Sequence, residues 1–309
     1  MKIHFWGVRG SLPAPLTAER VQAKITAVLD RIQSTDLKNA DTKRRFLERL
    51  PDWIFGTTGA NTSCVSVSFP EEPNSLVVFD SGSGIRELGA TIQVPHYHLF
   101  FSHFHWDHLM GFPFFGPAYN PHVHLDLYSP EVEVSAILSA QMIYPFFPTP
   151  MEAMGGIRSF HHLSGDVTIG PATISFKQVN HPGVAYAYRV DDGAHRFLYM
   201  TDIELSTDDF ANTEENKKFF SNIDVAVIDS QYTLDEALLK AHWGHSSFGL
   251  VVDFADRWDI KQVILFHHDP MYSDEKLAQN LRSAELYRDL LNRKKMILNL
   301  AIEGMEIIL

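Results

Sequence analysis

The sequence predicts an α/β fold, in which short strands alternate with helices. Its strand-like runs are rich in Val, Ile, Phe and Tyr, and turn residues bound several of them. They span 3–8, 62–69, 75–79, 96–101, 122–128, 172–179, 185–190, 195–200, 224–228, 262–266 and 296–309. Helices are predicted over 248–258 and 274–291, where a Ser or Asp can cap the first turn. Apolar residues make up 45% of the chain, with 22 Phe, so a sizeable core is available.

Charge and cysteine content narrow the classes of function. Acidic residues outnumber basic ones by 38 to 26, giving a net charge of −12, which disfavours nucleic acid as a simple electrostatic partner. The chain has 16 His but one cysteine, Cys64, so it cannot form an internal disulfide or a thiolate-rich zinc site. Any transition-metal site must therefore consist of imidazole and carboxylate ligands.

The beginning of the chain does not resemble a targeting segment. Residues 1–8 read as a strand and lack the basic and long apolar regions of a signal peptide. No stretch approaches the roughly 20 apolar residues of a membrane span, because 99–115 is interrupted by charged residues and histidines. We expect a cytoplasmic protein with no membrane partner.

One segment, 17–55, differs from the rest of the chain. Val21, Ile25 and Val28 follow helical spacing there, and a second apolar pattern includes Phe46 and Leu50. We interpret the segment as a helical insertion in a single domain covering 1–309. It is expected to pack on the body or on a second subunit, so a homodimer stays open. A ligand-sensing role is the alternative.

The strongest chemical signal follows the predicted strand 96–101. Three imidazoles and a carboxylate occur within six residues, in the order His103, His105, Asp107, His108. The carboxyl end of a strand is where α/β sheets build their sites. A turn there can direct His103 and His105 to one metal and Asp107 and His108 to another. Zinc fits these ligands best, and manganese or iron is an alternative.

This His-x-His-x-Asp-His motif resembles the signature of the metallo-β-lactamase superfamily of hydrolases. The superfamily's other motifs follow in order, with Asp80 in Phe-Asp-Ser-Gly-Ser-Gly, His181 in Asn-His-Pro-Gly, Asp202 in Tyr-Met-Thr-Asp and His267 in Phe-His-His-Asp-Pro. The resemblance implies a four-layer αββα sandwich of two mixed sheets, and two divalent metal ions per chain. It assigns one ion to His103, His105 and His181, the other to Asp107, His108 and His267, with Asp202 bridging both.

Two neighbours of these motifs receive supporting roles. The Asp80 carboxylate is expected to brace the site by hydrogen bonds rather than to bind metal. The last ligand is ambiguous, because His267 and His268 are adjacent. His267 directly follows the strand and matches the position in the superfamily, so His268 is expected to support the ligands or to contact substrate.

A further cluster resembles the phosphodiesterase branch of the superfamily. Asp229 ends the predicted strand 224–228, and Gly244-His245-Ser246 follows after a short helix. That branch includes tRNA 3′-end-processing endonucleases and class II cyclic-nucleotide phosphodiesterases. The resemblance gives His245 the role of proton donor near the scissile phosphate, with Asp229 as its partner. Asp107 counts as a catalytic residue too, because its carboxylate is one of the ligands on which the two-metal chemistry depends.

Four functions compete at this point. The first is hydrolysis of a small phosphodiester, most plausibly a 3′,5′-cyclic nucleotide. The others are tRNA 3′-end processing, hydrolysis of another ester or a lactam, and a non-catalytic role. Binding of tRNA needs a basic arm, yet Arg158 is the only Lys or Arg between 109 and 165. We therefore expect a small substrate, with the aromatic segments 112–115 and 144–148 either stacking a base or covering a core.

Overall fold

The computed structural model describes residues 1–309 as two seven-stranded mixed sheets with helices outside them. The strands are β1 (Lys2–Gly7), β2 (Cys64–Ser68), β3 (Ser75–Phe79), β4 (His96–Phe100), β5 (His124–Ser129), β6 (Ile157–His162), β7 (Val167–Ile169), β8 (Ala172–Val179), β9 (Ala185–Asp191), β10 (Arg196–Met200), β11 (Val225–Asp229), β12 (Gln262–Phe266), β13 (Ile297–Leu300) and β14 (Glu306–Ile308). The helices are α1 (Ala18–Leu29), α2 (Ala40–Glu48), α3 (Asp52–Phe55), α4 (Ile85–Thr91), α5 (Trp106–Leu109), α6 (Val134–Gln141), α7 (Glu214–Phe220), α8 (Leu234–Leu239), α9 (Phe248–Trp258) and α10 (Asp274–Leu290). None of them is both long and apolar enough to cross a membrane.

Each half of the chain contributes most of one sheet. The first sheet has the order β14-β1-β2-β3-β4-β5-β6, and the second has the order β13-β12-β11-β10-β9-β8-β7. Neighbours from β3 to β6 are parallel, as are those from β10 to β13. Parallel strands end at the same edge of a sheet, so the polar residues that follow them are collected there.

The core lies in three layers, which confirms the predicted four-layer sandwich. Between the sheets, Phe79 packs against Phe100 and Tyr199 with ring centroids 5.7 and 5.2 Å apart. Outside the second sheet, α7, α9 and α10 bury a separate apolar cluster, and α4 and α6 do the same outside the first sheet. Burial of this kind stabilises by about 25 cal/mol per Å² of apolar surface, which fixes the sheets as a rigid frame for the site.

The segment 17–55 contains α1, α2 and α3. Phe46 and Leu50 pack with Ile54 in a small buried cluster of their own. Val21 and Ile25, which the helical spacing places on a packed face, are exposed, so that part of the prediction is wrong. The reason is that α1 fully buries none of its residues: Val28 packs partly buried against the Phe46 cluster, and Lys24 Nζ lies 2.7 Å from Asp274 Oδ2 of α10.

The C-terminal segment corrects another expectation. Residues 296–309 form two strands rather than one. β13 pairs in parallel with β12 in the second sheet, and β14 pairs in antiparallel with β1 in the first. The chain changes sheet between them, and Gly304 takes a positive φ of 81° in the turn, a conformation that glycine adopts without strain.

Candidate metal centre

The residues after β4 form the first half of the site. His103 and His105 precede α5, and their ligand atoms lie within 4.8 Å of those of His181 and Asp202. The Nε2 atoms of His103 and His181 lie 3.6 and 3.7 Å from Asp202 Oδ2. His105 Nδ1 lies 3.1 Å from His181 Nε2. These four residues come from three different loops, so the fold itself brings them together.

A second group adjoins the first. The Nε2 atoms of His108 and His267 lie 3.0 and 3.1 Å from Asp202 Oδ1. Asp107 Oδ2 lies 3.2 Å from His267 Nε2 and also accepts the backbone N–H of Ser11 at 2.7 Å. Asp202 therefore turns one oxygen to each group. The structure brings together all seven residues that the sequence analysis named as ligands.

The donor set fits two divalent ions. Tetrahedral nitrogen and oxygen ligands at about 2.0–2.1 Å from zinc lie about 3.3–3.4 Å from one another, close to the separations in both groups. His103 Nε2 is buried and has no hydrogen-bond partner, which is costly for an imidazole unless it binds a cation. Burial and neighbouring imidazoles hold the pKa of His103 well below its usual value, so this ring is neutral, as a ligand must be.

Asp202 is ionised in the same environment. Burial alone would raise the pKa of Asp202, but His108 and His267 hold it well below the usual range of a carboxyl group.

Asp202 also has a positive φ of 49°, and Asp80 and His267 share that left-handed conformation. Such backbone positions are strained in residues other than glycine and cluster at functional sites.

Hydrogen bonds at the other ring nitrogen orient the ligands. His108 Nδ1 donates to Asp80 Oδ2 at 2.9 Å, His267 Nδ1 to Gln231 Oε1 at 3.1 Å, and His181 Nδ1 to the Gly244 carbonyl at 2.9 Å. Each bond makes Nδ1 the donating side of the ring, so Nε2 is the atom that faces Asp202.

Asp80 acts as the brace that the sequence predicts, and it has further partners. It accepts the backbone N–H and the hydroxyl of Ser102, both at 2.7 Å, and the Tyr199 hydroxyl at 2.8 Å. Neither Tyr199 nor Gln231 was predicted as a site residue from the sequence. Tyr199 lies in a buried strand where an aromatic residue needs no functional reason, whereas Gln231 follows Asp229 at a strand end and could have been noticed.

His245 lies against the ligand cluster without contacting Asp202. Its Nδ1 donates to Asp229 Oδ2 at 2.7 Å, and its ring stacks on His267 with centroids 4.9 Å apart. Burial alone would lower the pKa of His245, but the Asp229 carboxylate raises it to about 9. Asp229 is held in turn by the backbone N–H groups of Ile203 and Gln231, at 3.2 and 3.0 Å.

His268 does not have the role expected from its position. Its Nε2 donates to the Ala301 carbonyl at 2.9 Å, and burial lowers its pKa to about 3. The ring is enclosed in the protein and does not contact the ligand cluster, so the expectation of a ligand-supporting or substrate contact is wrong. Adjacent residues leave a strand end in opposite directions, which is why His267 enters the site and His268 does not.

The two aromatic segments meet beside the site-bearing helix α5. Phe112 and Phe115 are buried in the core outside the first sheet. Phe114 is exposed and packs edge-on against Phe147, with centroids 5.6 Å apart. Tyr144 and Phe146 are exposed too. Part of the aromatic set therefore covers a core, and the remainder is free to contact other molecules.

One protein-family model matches the larger part of the chain. A family model described as a beta-lactamase superfamily domain matches residues 77–268, which contain every residue of the ligand cluster. A search of the curated proteins found no match.

Solved structures with the same fold include the metallo-beta-lactamase fold protein YhfI from Bacillus subtilis (17% identity, TM-score 0.64, covering 99% of this chain and 98% of that one). A diphosphatase of the PhnP family is similar at 15% identity and a TM-score of 0.62, with 100% and 97% covered. The short form of human tRNase Z is similar at 14% identity and a TM-score of 0.60, with 100% and 99% covered. At these identities the likeness concerns the fold.

Proposed function

The chain belongs to the metallo-β-lactamase superfamily, most of whose members are metal-dependent hydrolases, and from this premise we propose that it is a dinuclear phosphodiesterase acting on a small phosphodiester. The observation that carries the proposal is the His245–Asp229 pair. A hydrogen-bonded imidazole placed beside the ligand cluster is what hydrolysis of a poor leaving group requires in addition to metal ions.

The residues would divide the work as follows. His103, His105 and His181 would hold one ion, Asp107, His108 and His267 would hold the other, and Asp202 would be available to both groups. Two divalent ions would supply Lewis acidity to the phosphoryl group and a nucleophile at neutral pH. Asp229 keeps a proton on His245 Nδ1, so the His245 Nε2–H is free to donate its proton to the departing oxygen.

A cavity next to His245 has a size that suits a small organic molecule, and none of the proposed metal ligands lines it. It has a volume of about 480 Å³ and is lined by His245 and by apolar side chains such as Leu205, Leu238 and Phe248. Pockets for small ligands have volumes of roughly 300–1,000 Å³ and apolar walls with a few polar groups. The exposed rings of Phe114 and Tyr144 are further candidates for stacking a base, which favours a cyclic nucleotide as the substrate.

Charge argues against a long RNA substrate. Arg158 bonds the backbone carbonyls of Gly155 and Pro121, so the one cation between 109 and 165 is engaged within the protein. Both a PhnP-family diphosphatase and tRNase Z have this fold, so the fold alone does not decide between a small phosphate ester and an RNA substrate. The alternative is a tRNA 3′-end-processing endonuclease, and steeply salt-dependent cleavage of pre-tRNA would replace our proposal with it.

The experiment compares two leaving groups in His245→Asn. Asparagine keeps a donor near Asp229 but cannot act as an acid. We expect kcat to fall by about 10²–10⁴-fold on a cyclic nucleotide, whose alkoxide departs poorly, and by less on bis-p-nitrophenyl phosphate. Metal content should not change.

His242→Asn is the matched control, because His242 is exposed and has a positive φ of 71°, which Asn tolerates. Its activity should equal that of the wild type. Equal losses of His245→Asn on both substrates would show that His245 only positions the phosphate, and an unchanged kcat on the cyclic nucleotide would remove it from the mechanism.

A further inference from the structure

A second cluster of imidazole and carboxylate groups lies away from the ligand cluster, on the first sheet. His98 of β4 and Asp126 of β5 are register partners on these parallel strands, and His96 precedes His98 by two residues. Residues two apart lie on the same face of a strand. This face also carries Phe100 and Tyr128, which stack with centroids 4.5 Å apart, so it is the face turned towards the second sheet.

The imidazole and carboxylate groups of this cluster lie close together. His96 Nε2 lies 2.7 Å from Asp126 Oδ2, and the ligand atoms of His96, His98 and Asp126 all fall within 4.8 Å of one another. His161, on the edge strand β6, adds a third imidazole whose Nε2 lies 3.7 Å from Asp126 Oδ1. The close group is therefore His96, His98 and Asp126, and His161 lies beside its carboxylate.

Hydrogen bonds within the protein satisfy only part of this cluster, such as the one between His96 Nε2 and Asp126 Oδ2 at 2.7 Å. The Nε2 atom of His161 is buried and has no hydrogen-bond partner, although Asp126 lies nearby. His98 is buried, so its ring nitrogens need partners from within this cluster.

Tyr128 orients the rings. Its hydroxyl lies 3.1 Å from His98 Nδ1, and its ring stacks on His161 with centroids 4.4 Å apart. An outer partner at one ring nitrogen is the usual way in which a protein fixes a metal-binding histidine. The side chains of His96 and His161 are partly exposed, so an ion from solvent can reach the cluster.

We propose that this cluster is a third metal site, separate from the dinuclear centre, which binds Zn²⁺ through His96, His98 and Asp126. Two imidazoles and one carboxylate are ligands that zinc prefers, and they leave the fourth position of a tetrahedral ion to water. The ion joins the neighbouring strands β4 and β5 on the face turned towards the second sheet.

The experiment counts zinc in the purified full-length protein after equilibration with Zn²⁺ and removal of the free ion. His98→Gln should hold about one zinc fewer per chain than the wild type, because a ligand is removed. Activity on bis-p-nitrophenyl phosphate should stay within about twofold, because the dinuclear ligands remain. His122→Gln, an exposed histidine on the preceding loop, is the matched control and should lose no zinc.

A second variant and a second background keep the test decisive. His96→Gln removes a partly exposed ligand and should lose the same zinc even if His98→Gln fails to fold. The difference of about one zinc should persist when His98→Gln is added to Asp202→Ala, which separates this site from the proposed function. An unchanged zinc count in both His98→Gln and His96→Gln would overturn the proposal.

Discussion

At the scale of single residues, Asp202 and Asp80 have complementary tasks. Asp202 faces the imidazoles of both groups with its two oxygens. Asp80 lies behind His108 and accepts hydrogen bonds from Ser102, Tyr199 and that ring. One carboxylate therefore organises the ligands from inside the cluster and the other orients them from outside.

Asp80→Asn tests the outer role. Asparagine has one accepting side-chain oxygen, so it cannot accept hydrogen bonds from Ser102, Tyr199 and His108 in the way that the carboxylate does. His108 then loses its fixed tautomer and orientation. We expect metal affinity to fall by about 10–100-fold, measured by competition with a chelator, while excess metal restores most of the activity. Asp166→Asn, at an exposed position, should have neither effect. A metal affinity of Asp80→Asn equal to that of the wild type would contradict the role of Asp80 in orienting His108.

The ligands could be predicted from sequence because their chemistry is local to short motifs in a fixed order. His103, His105, Asp107 and His108 lie in one turn, and the structure places them as that motif implies. Gln231 and Tyr199 could not be predicted in the same way, since their roles depend on which loop the fold places beside them. His268 shows the remaining limit, because sequence adjacency does not give side-chain direction.

At the scale of elements, the first residue of α10 connects three parts of the chain. Asp274 accepts the backbone N–H and the hydroxyl of Thr58 at 2.9 and 2.7 Å, and it pairs with Lys24 of α1 at 2.7 Å. Burial alone would raise the pKa of Asp274, but Lys24 and Thr58 lower it below its usual value. The ionised carboxylate thus fixes α1 and the turn before β2 to α10.

Asp274→Asn should lower the free energy of unfolding by about 1–3 kcal/mol at pH 7, because a buried charge-assisted network is lost. A carboxyl group whose pKa is lower in the folded state stabilises the protein above its unfolded pKa of about 3.9. That contribution disappears as pH falls through the folded pKa, so wild type and variant should converge in acid. Urea unfolding at several pH values measures this, with exposed Asp235→Asn as the control. A pH-independent difference would exclude the ionised network as its cause.

The two strands that were not predicted at all, β6 and β7, each lie at the edge of a sheet. β3 and β12 appear in the sequence as continuous apolar runs, and their predicted bounds match the structure. β6 alternates half-buried and exposed residues, and β7 has three residues, so neither gives such a run. The division of 296–309 into two strands depends on pairing with both sheets, which no local pattern contains.

At the scale of the whole molecule, the candidate metal centre joins the two sheets. His103 and Asp107 follow β4 of the first sheet, whereas His181, Asp202 and His267 follow strands of the second. Ions bound between them stabilise the folded state alone, because the ligands come together only when both sheets are formed.

Removing metal should therefore destabilise the sandwich. A ligand present at about 100 times its Kd stabilises by about 2.7 kcal/mol, so a chelator should lower the Tm of the wild type clearly. The same treatment should shift the Tm of Asp202→Ala much less, because that variant has lost the residue that links both groups. An equal fall in Tm in the wild type and in Asp202→Ala would show that the stabilising metal binds outside this cluster.

The central claim is that two metal ions occupy the cluster around Asp202. Anomalous diffraction from crystals of the zinc-loaded protein, recorded on both sides of the zinc absorption edge, tests it directly. We predict two peaks about 3.5–4 Å apart, one among His103, His105 and His181 and the other among Asp107, His108 and His267, with Asp202 between them. A single peak in this cluster, or none at saturating zinc, would contradict the account.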